Sequence, residues 1–251
     1  MTYTYLITGA SRSLGLGYAR ALLASRPEVR VVAAARNPSS ASGLQALANE
    51  EANKGRVYLL PLDVVDKENV KKAVKELEES GFLENGGIDA LVNNAGVANH
   101  QPKPSEILTV PPPAVSMGTS SPTLTSTSGG VLNVTKNFLP LLRKGKGKQI
   151  FSLSSTCGSI TEFGGNTFAT SYCMTKVALN MYKKKLSTEL ESEGFTVIMF
   201  HPGYVKTDMN DGNGEITTEE AVEQALKNVF LKVKPEDNGS FLRYSGGVMP
   251  W

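Results

Sequence analysis

The stretch YLITGASRSLGLGYARALLASRPEVRVVAAARNP, Tyr5 to Pro38, decides the fold. It opens on a short strand-forming run and passes through a turn holding Gly9, Gly15 and Gly17. A helical pattern, LGLGYARALLASR, follows, and the stretch closes on a second apolar run, VRVVAAA from Val29. Strand, helix and strand in this order form a βαβ unit, whose crossover brings the second strand back parallel to the first. Outward from this unit the period repeats. A helical stretch around Leu44 to Ala52 precedes RVYLLPLD from Arg56, a helix in which Val70, Ala73, Val74 and Leu77 share one face, and IDALVNN from Ile88. Farther on come the helix VLNVTKNFLPLLR, the strand QIFSLSS from Gln149, a long helix, the strand TVIMFHP from Thr196, the helix TTEEAVEQALKNVF and a last strand, SFLRYS. Such alternation predicts an α/β, doubly wound parallel sheet with helices on both faces.

The chain has 251 residues, 40% hydrophobic and 20% charged, which suits one compact domain with a sizeable core. Twenty-six Lys and Arg against 24 Asp and Glu leave a formal charge of +2, too small to argue for nucleic acid or an anionic membrane as partner. The densest basic run, RKGKGK at Arg143 to Lys148, is broken by glycines and reads as a solvated turn. Two cysteines, Cys157 and Cys173, are too few for a disulfide framework and lack the repeated spacing of a metal site, so no metal is assigned. No signal-peptide pattern and no run of 18 apolar residues occur, and the expectation is a cytoplasmic protein that does not span a membrane.

The glycine turn fits two readings. Glycines at a strand-to-helix junction let the backbone approach a pyrophosphate at the positive end of a helix, or they simply give the helix a close-packed start. The strict GxGxxG spacing is absent. The end of the second run decides more. A dinucleotide site for NAD carries an acidic residue there, whereas arginine meets the 2′-phosphate of NADP. Here the run ends in AAARNP, with Arg36 and no carboxylate, and Arg12 in the glycine turn adds a second guanidinium. NADP(H) is therefore favoured over NAD. Asp63, after the third strand, is placed either to touch the adenine ring or to serve the start of the next helix.

The long helix opens with YCMTK, so Tyr172 and Lys176 lie four apart and share a face. An ammonium held near a phenol favours its ionised form, which would let Tyr172 exchange a proton with a carbonyl oxygen. An exposed pair with no such role is the alternative. Upstream, the strand end SLSSTCGS offers Ser155, which is placed to meet a substrate oxygen or to cap a turn.

Taken in order, the TGASRSLGLG turn, NNAG at Asn93 to Gly96, the serine strand end, YxxxK and HPGYVKTDM from His201 resemble the short-chain dehydrogenase/reductase family across essentially the whole chain. The ending GSFLRYSGGVMPW and the GSI after the serine strand look most similar to its sniffer-like carbonyl reductases and to ketoreductases of the norsolorinic acid type. The resemblance implies one Rossmann-type NADP-binding domain over residues 1–251 with a seven-stranded parallel sheet. It also implies an NADPH-dependent reduction of a ketone, aldehyde or quinone by a monomer or homodimer. It assigns catalysis to Ser155, Tyr172 and Lys176. The cofactor falls to Gly9, Ser11, Arg12, Ser13, Leu14, Arg36, Asp63, Asn94, Ala95 and Gly96, together with Tyr172, Lys176, Pro202, Gly203, Val205 and Thr207.

Three departures stand out. Ser13 occupies the place of a usual glycine, so its Cβ crowds the pyrophosphate approach. Aligning on GVLNVTKNFLPLL puts Thr127 where the family keeps an active-site asparagine, and Asn133 lies too deep in the helix to replace it. The third is an irregular Ser/Thr/Pro/Gly-rich segment at about 107–130, uncharged and containing three consecutive prolines, which opposes a helix until about Val131. It is either a genuine flexible loop or a short stretch of coding sequence read in another frame or across a wrong splice boundary. These departures keep open a second reading, an impaired NADPH-binding or regulatory protein of reductase ancestry.

Overall fold

The computed structural model describes residues 2–84, 86–96, 128–164 and 169–251. Its seven strands form one sheet in the order β3-β2-β1-β4-β5-β6-β7, with every pairing parallel. The strands are β1 (Tyr3–Thr8), β2 (Val29–Ala35), β3 (Val57–Pro61), β4 (Ala90–Asn93), β5 (Gln149–Leu153), β6 (Thr196–His201) and β7 (Phe241–Arg243). Helices α1 (Ser13–Ser25), α2 (Ser42–Asn49), α3 (Lys67–Glu79), α4 (Gly130–Lys144), α5 (Thr170–Leu190) and α6 (Thr218–Ala225) connect them.

Period-two alternation along the strands sorts side chains onto two cores. Tyr5, Ile7, Val31, Phe151, Ile198 and Phe200 point to the face covered by α1, α2 and α6. Leu6, Val32, Leu91, Ile150, Val197 and Met199 point to the face covered by α3, α4 and α5. Both faces are buried, which is why the strands read as nearly continuous apolar runs. On α3, Val70, Ala73 and Leu77 are buried as their spacing predicts, with Val74 half-buried beside them. The helix starts at Asp66, whose carboxylate accepts the Glu68 and Asn69 N–H groups at 3.0 Å each. Asp63 is thus not the cap; its carboxylate accepts the Val65 N–H in the preceding turn.

The sheet reverses its strand order between β1 and β4, and the crevice outside their carboxyl ends is where ligands bind in such sheets. At the opposite end, the basic turn is structural: the Asp89 carboxylate accepts the Lys146 and Gly147 N–H groups at 2.9 and 3.0 Å. Helix α4 begins at Gly130, in line with the end of the uncharged segment. The greater part of that segment, including Thr127, lies outside the described residues. Asn133 donates to the Val64 carbonyl at 3.0 Å, a structural anchor rather than a catalytic amide.

Candidate active site

A cleft of about 340 Å³ runs along the carboxyl ends of the strands. At one end is the glycine turn. Gly9 has φ 66, and a Cβ there would stand 3.0 Å from the Ala95 Cα. A Cβ on Gly15 would stand 2.2 Å from the Gly9 carbonyl oxygen, so the turn closes only with hydrogen at both positions. Ser13, between them, adopts φ 45, the left-handed region where glycine is comfortable and serine is strained. Helix α1 then starts with no side-chain cap on its first N–H groups and no acidic residue in its first turn. Its amino end therefore offers free donors and positive potential to an anion.

β1 and β4 hold this turn from behind. The Thr8 hydroxyl oxygen accepts the Asn94 and Ala95 N–H groups at 3.1 and 3.0 Å, while the Asn94 side-chain amide donates to the Thr8 and Gly9 carbonyls at 2.8 and 3.1 Å. Asn94 lines the cleft, but its amide hydrogens are committed to stapling the turn.

Gly9, Ser11, Arg12, Ser13, Leu14, Arg36, Asp63, Asn94, Ala95, Gly96, Tyr172, Lys176, Pro202 and Thr207 all line the cleft. Arg36 is exposed at the end of β2, with Ala35 and Leu62 as apolar neighbours on the same wall. Arg12 is engaged within the protein: its guanidinium pairs with Asp208, also in the cleft wall, at 3.1 Å, an exposed contact joining the glycine turn to the segment after β6. Gly203 and Val205 stand behind the wall. Val205 is buried and bridged to Ile216, and Gly203, at φ 96, leaves room for the Ile216 side chain. The Thr207 hydroxyl donates to the Asn210 side-chain oxygen at 3.2 Å, closing the short turn Asp208–Asn210.

At the other end, β5 and α5 bring three side chains together. Ser155 stands beside the Tyr172 phenol, and its oxygen accepts the Cys157 N–H at 3.2 Å. Lys176 is buried, 5.4 Å from the centre of the Tyr172 ring, and donates to the Leu153 carbonyl at 2.7 Å. Burial lowers its amine to about 8. The phenol moves opposite to the tuning that the YxxxK spacing suggests. Burial pushes Tyr172 up, neighbouring Cys157 adds to the rise, and the Ser155 hydrogen bond opposes it. Desolvation of the phenolate dominates, and the Lys176 ammonium donates to a backbone carbonyl.

A family model described as short chain dehydrogenase matches residues 3–218. The chain belongs to that family. An uncharacterized oxidoreductase of Schizosaccharomyces pombe is 34% identical over 264 residues, covering 98% of this chain and 97% of the relative. Among solved structures, an NADPH-bound carbonyl reductase from chicken fatty liver is 31% identical with a TM-score of 0.84, covering 100% of this chain and 99% of that one. The carbonyl reductase Sniffer of D. melanogaster is 27% identical with a TM-score of 0.85, covering 100% of both chains.

In this short-chain dehydrogenase several cleft residues carry no sequence signal of their own. Thr8 is an ordinary strand threonine until its hydroxyl is seen stapling β4. Ser154 donates to Asn180 at 2.6 Å, and Asn180 donates to the Gly158 carbonyl at 3.1 Å, so α5 holds the turn that carries Ser155. Met209 lines the cleft, whereas Phe163 and Tyr204 are exposed away from its wall and Phe168 lies outside the described residues.

Proposed function

We propose that this chain is an NADPH-dependent carbonyl reductase, one cofactor-binding domain over residues 1–251 that converts a ketone, aldehyde or quinone to an alcohol. One observation carries the reading: Tyr172 and buried Lys176 line one end of a cleft, with Ser155 beside the phenol, and the other end holds Arg36 and the uncapped start of α1. The residues present fit the cofactor. The tightly closed glycine turn lines the cleft, the free N–H groups of α1 suit a pyrophosphate, and the end of β2 carries a guanidinium where NAD would ask for a carboxylate. When bound, reduced nicotinamide supplies the hydride for the carbonyl carbon.

The chain's own residues do the rest. Tyr172, raised by burial, keeps its proton at neutral pH and can pass it to a carbonyl oxygen within hydrogen-bond reach. Ser155 orients that oxygen and, by donating to the phenol, favours the phenolate left after transfer. Lys176, lowered to about 8, remains largely cationic at pH 7 and stabilises the same charge across the ring. The relatives named as carbonyl reductases, one of them NADPH-bound, support this reading.

The test follows NADPH oxidation with a panel of ketones, aldehydes and quinones, with Tyr172→Phe as control. Turnover by the natural chain and loss in the variant is the expected result. Turnover that survives Tyr172→Phe refutes the proton donor, and tight NADPH binding without turnover on any substrate favours a binding protein of reductase ancestry.

A further inference from the structure

Two stretches of the chain have no part in the chemistry above: GSI at Gly158 to Ile160, just past Ser155, and the ending SGGVMPW from Ser245 to Trp251. The fold brings them together. After β7 the chain doubles back along that strand: the Arg243 N–H donates to the Gly247 carbonyl at 3.1 Å, and the Met249 N–H to the Phe241 carbonyl at 2.7 Å. Met249 is buried and the Trp251 ring stacks on Phe241 with centroids 5.5 Å apart, so Pro250 and Trp251 are fixed against β7. Both offer main-chain oxygens to the turn after β5. The Ser159 hydroxyl donates to the Pro250 oxygen at 2.8 Å, and the Trp251 oxygen accepts the Thr161 N–H at 3.0 Å and the Thr161 hydroxyl at 2.6 Å. The Glu162 carboxylate pairs with the Arg243 guanidinium of β7.

We propose that Ser159 is a positioning residue for carbonyl reduction: tied to residues 249–251, it fixes the turn that carries Ser155. Of the residues so tied it is the nearest to Ser155 in the chain, and it is buried. Its hydroxyl works twice, donating to Pro250 and accepting the Glu162 N–H at 3.0 Å, so one group joins the ending to the turn. Hydrogen bonds then lead back to Ser155. The Ser159 N–H donates to the Thr156 carbonyl at 2.9 Å, the Gly158 N–H to the Ser155 carbonyl at 2.8 Å, and the Cys157 N–H to the Ser155 hydroxyl oxygen at 3.2 Å.

The turn is held from two sides. Helix α5 grips Gly158, whose carbonyl accepts the Asn180 side-chain amide at 3.1 Å; a Cβ there would stand 2.7 Å from the Asn180 amide nitrogen and 3.2 Å from the Lys176 Cβ. Gly158 and Ser159 therefore sit between the helix that bears Tyr172 and Lys176 and the return from β7. Once the Ser159 hydroxyl is lost, the remaining ties to that return lie farther along the chain, at Thr161 and Glu162, and Ser155 is freer to leave the carbonyl oxygen it orients. A hydrogen bond of ordinary strength biases such an equilibrium about fivefold. Displacement of an orienting group by about 1 Å costs still more in rate.

The test compares the natural chain with Ser159→Ala and with a chain shortened to end at Met249. Each is read by amide hydrogen exchange, NADPH titration and steady-state kinetics on the best substrate of a ketone, aldehyde and quinone panel. In Ser159→Ala the amides of Cys157, Gly158 and Ser159 should exchange about fivefold faster while β5 keeps its protection. Its kcat should fall about tenfold, with KM for the carbonyl and Kd for NADPH little changed. The shortened chain should lose at least as much, and adding Ser159→Ala to it should cost nothing further, since both remove the same contact. Ser159→Ala, which removes one oxygen, decides alone if the shortened chain does not fold. Unchanged exchange in the turn overturns the tie. Faster exchange with kcat kept, additive losses in the double variant, or a fall in kcat together with NADPH affinity and Tm overturns the positioning role. The kinetic readouts rest on the reductase reading, and the exchange readout does not. A natural chain that turns over no carbonyl therefore counts against that reading, while the tie is still decided by exchange.

Discussion

The two ends of the cleft are built by opposite means. At the cofactor end the work falls to backbone: Gly9 and Gly15 let two stretches of chain nearly touch, Thr8 and Asn94 staple them, and α1 presents unshared N–H groups. At the proposed catalytic end it falls to side chains of α5 whose properties come from burial, since Lys176 and Tyr172 are both shifted chiefly by desolvation. A backbone site is broken by volume, and a buried side-chain site by loss of a single functional group.

Four substitutions test this contrast alongside the loss of the phenol. The largest effect belongs to Tyr172→Phe, which removes the proton donor and should lower kcat by about 10²–10⁴ while NADPH binding, read by fluorescence titration, changes little. Gly15→Ala comes next. Its methyl meets the Gly9 carbonyl oxygen at 2.2 Å, and the variant should lose about 3 kcal/mol in urea denaturation together with most of its NADPH affinity. A fully active, stable Gly15→Ala would break the distinction between the two ends.

Lys183 sharpens the burial side. It is fully buried two turns beyond Lys176 on α5, donates to the Thr135 hydroxyl at 2.8 Å, and is lowered by burial from 10.5 to about 7. Between these values the unfolded chain holds a proton that the folded chain does not. Stability is therefore highest above about 10.5 and declines as pH falls to about 7. Lys183→Met should stabilise the protein by about 2 kcal/mol at pH 7, with the advantage shrinking at pH 9. A variant less stable than the natural chain at pH 7 would show that the buried amine is a net asset.

Arg36→Ala should raise Kd for NADPH about tenfold and leave NADH binding nearly unchanged, because only the former carries a 2′-phosphate. Equal weakening of both would remove Arg36 from that role. Smallest is Ser13→Gly, which relieves a φ of 45 and should stabilise the chain by about 1 kcal/mol, seen as a higher Tm. No gain would mean that the Ser13 hydroxyl offsets its strain.

Residues contiguous in sequence were the readable ones. The βαβ unit, the seven strand runs, the buried face of α3 and the start of α4 near Val131 all follow from local periodicity, because each element shows its buried side at its own repeat. Ser13 was legible as a misfit only through the resemblance to the short-chain dehydrogenase/reductase family, and its positive φ gives the misfit a physical form. The YxxxK spacing put Tyr172 and Lys176 on one face, yet the direction in which the phenol shifts was hidden, since it depends on what surrounds the ring. Asp63 was readable as an adenine contact or a helix start, and only the hydrogen bonds gave the cap to Asp66.

By itself, then, the sequence determined the α/β architecture, the glycine turn, the absence of an acid after β2 and the Tyr–Lys pair, because periodicity and short-range spacing encode each of them. Only the tertiary structure decided that Thr8 and Asn94 staple the turn and that Arg12 pairs with Asp208. Each of these joins residues far apart in the chain through the packing of parallel strands and their crossovers, and desolvation, which sets Tyr172, Lys176 and Lys183, exists only once that packing is complete.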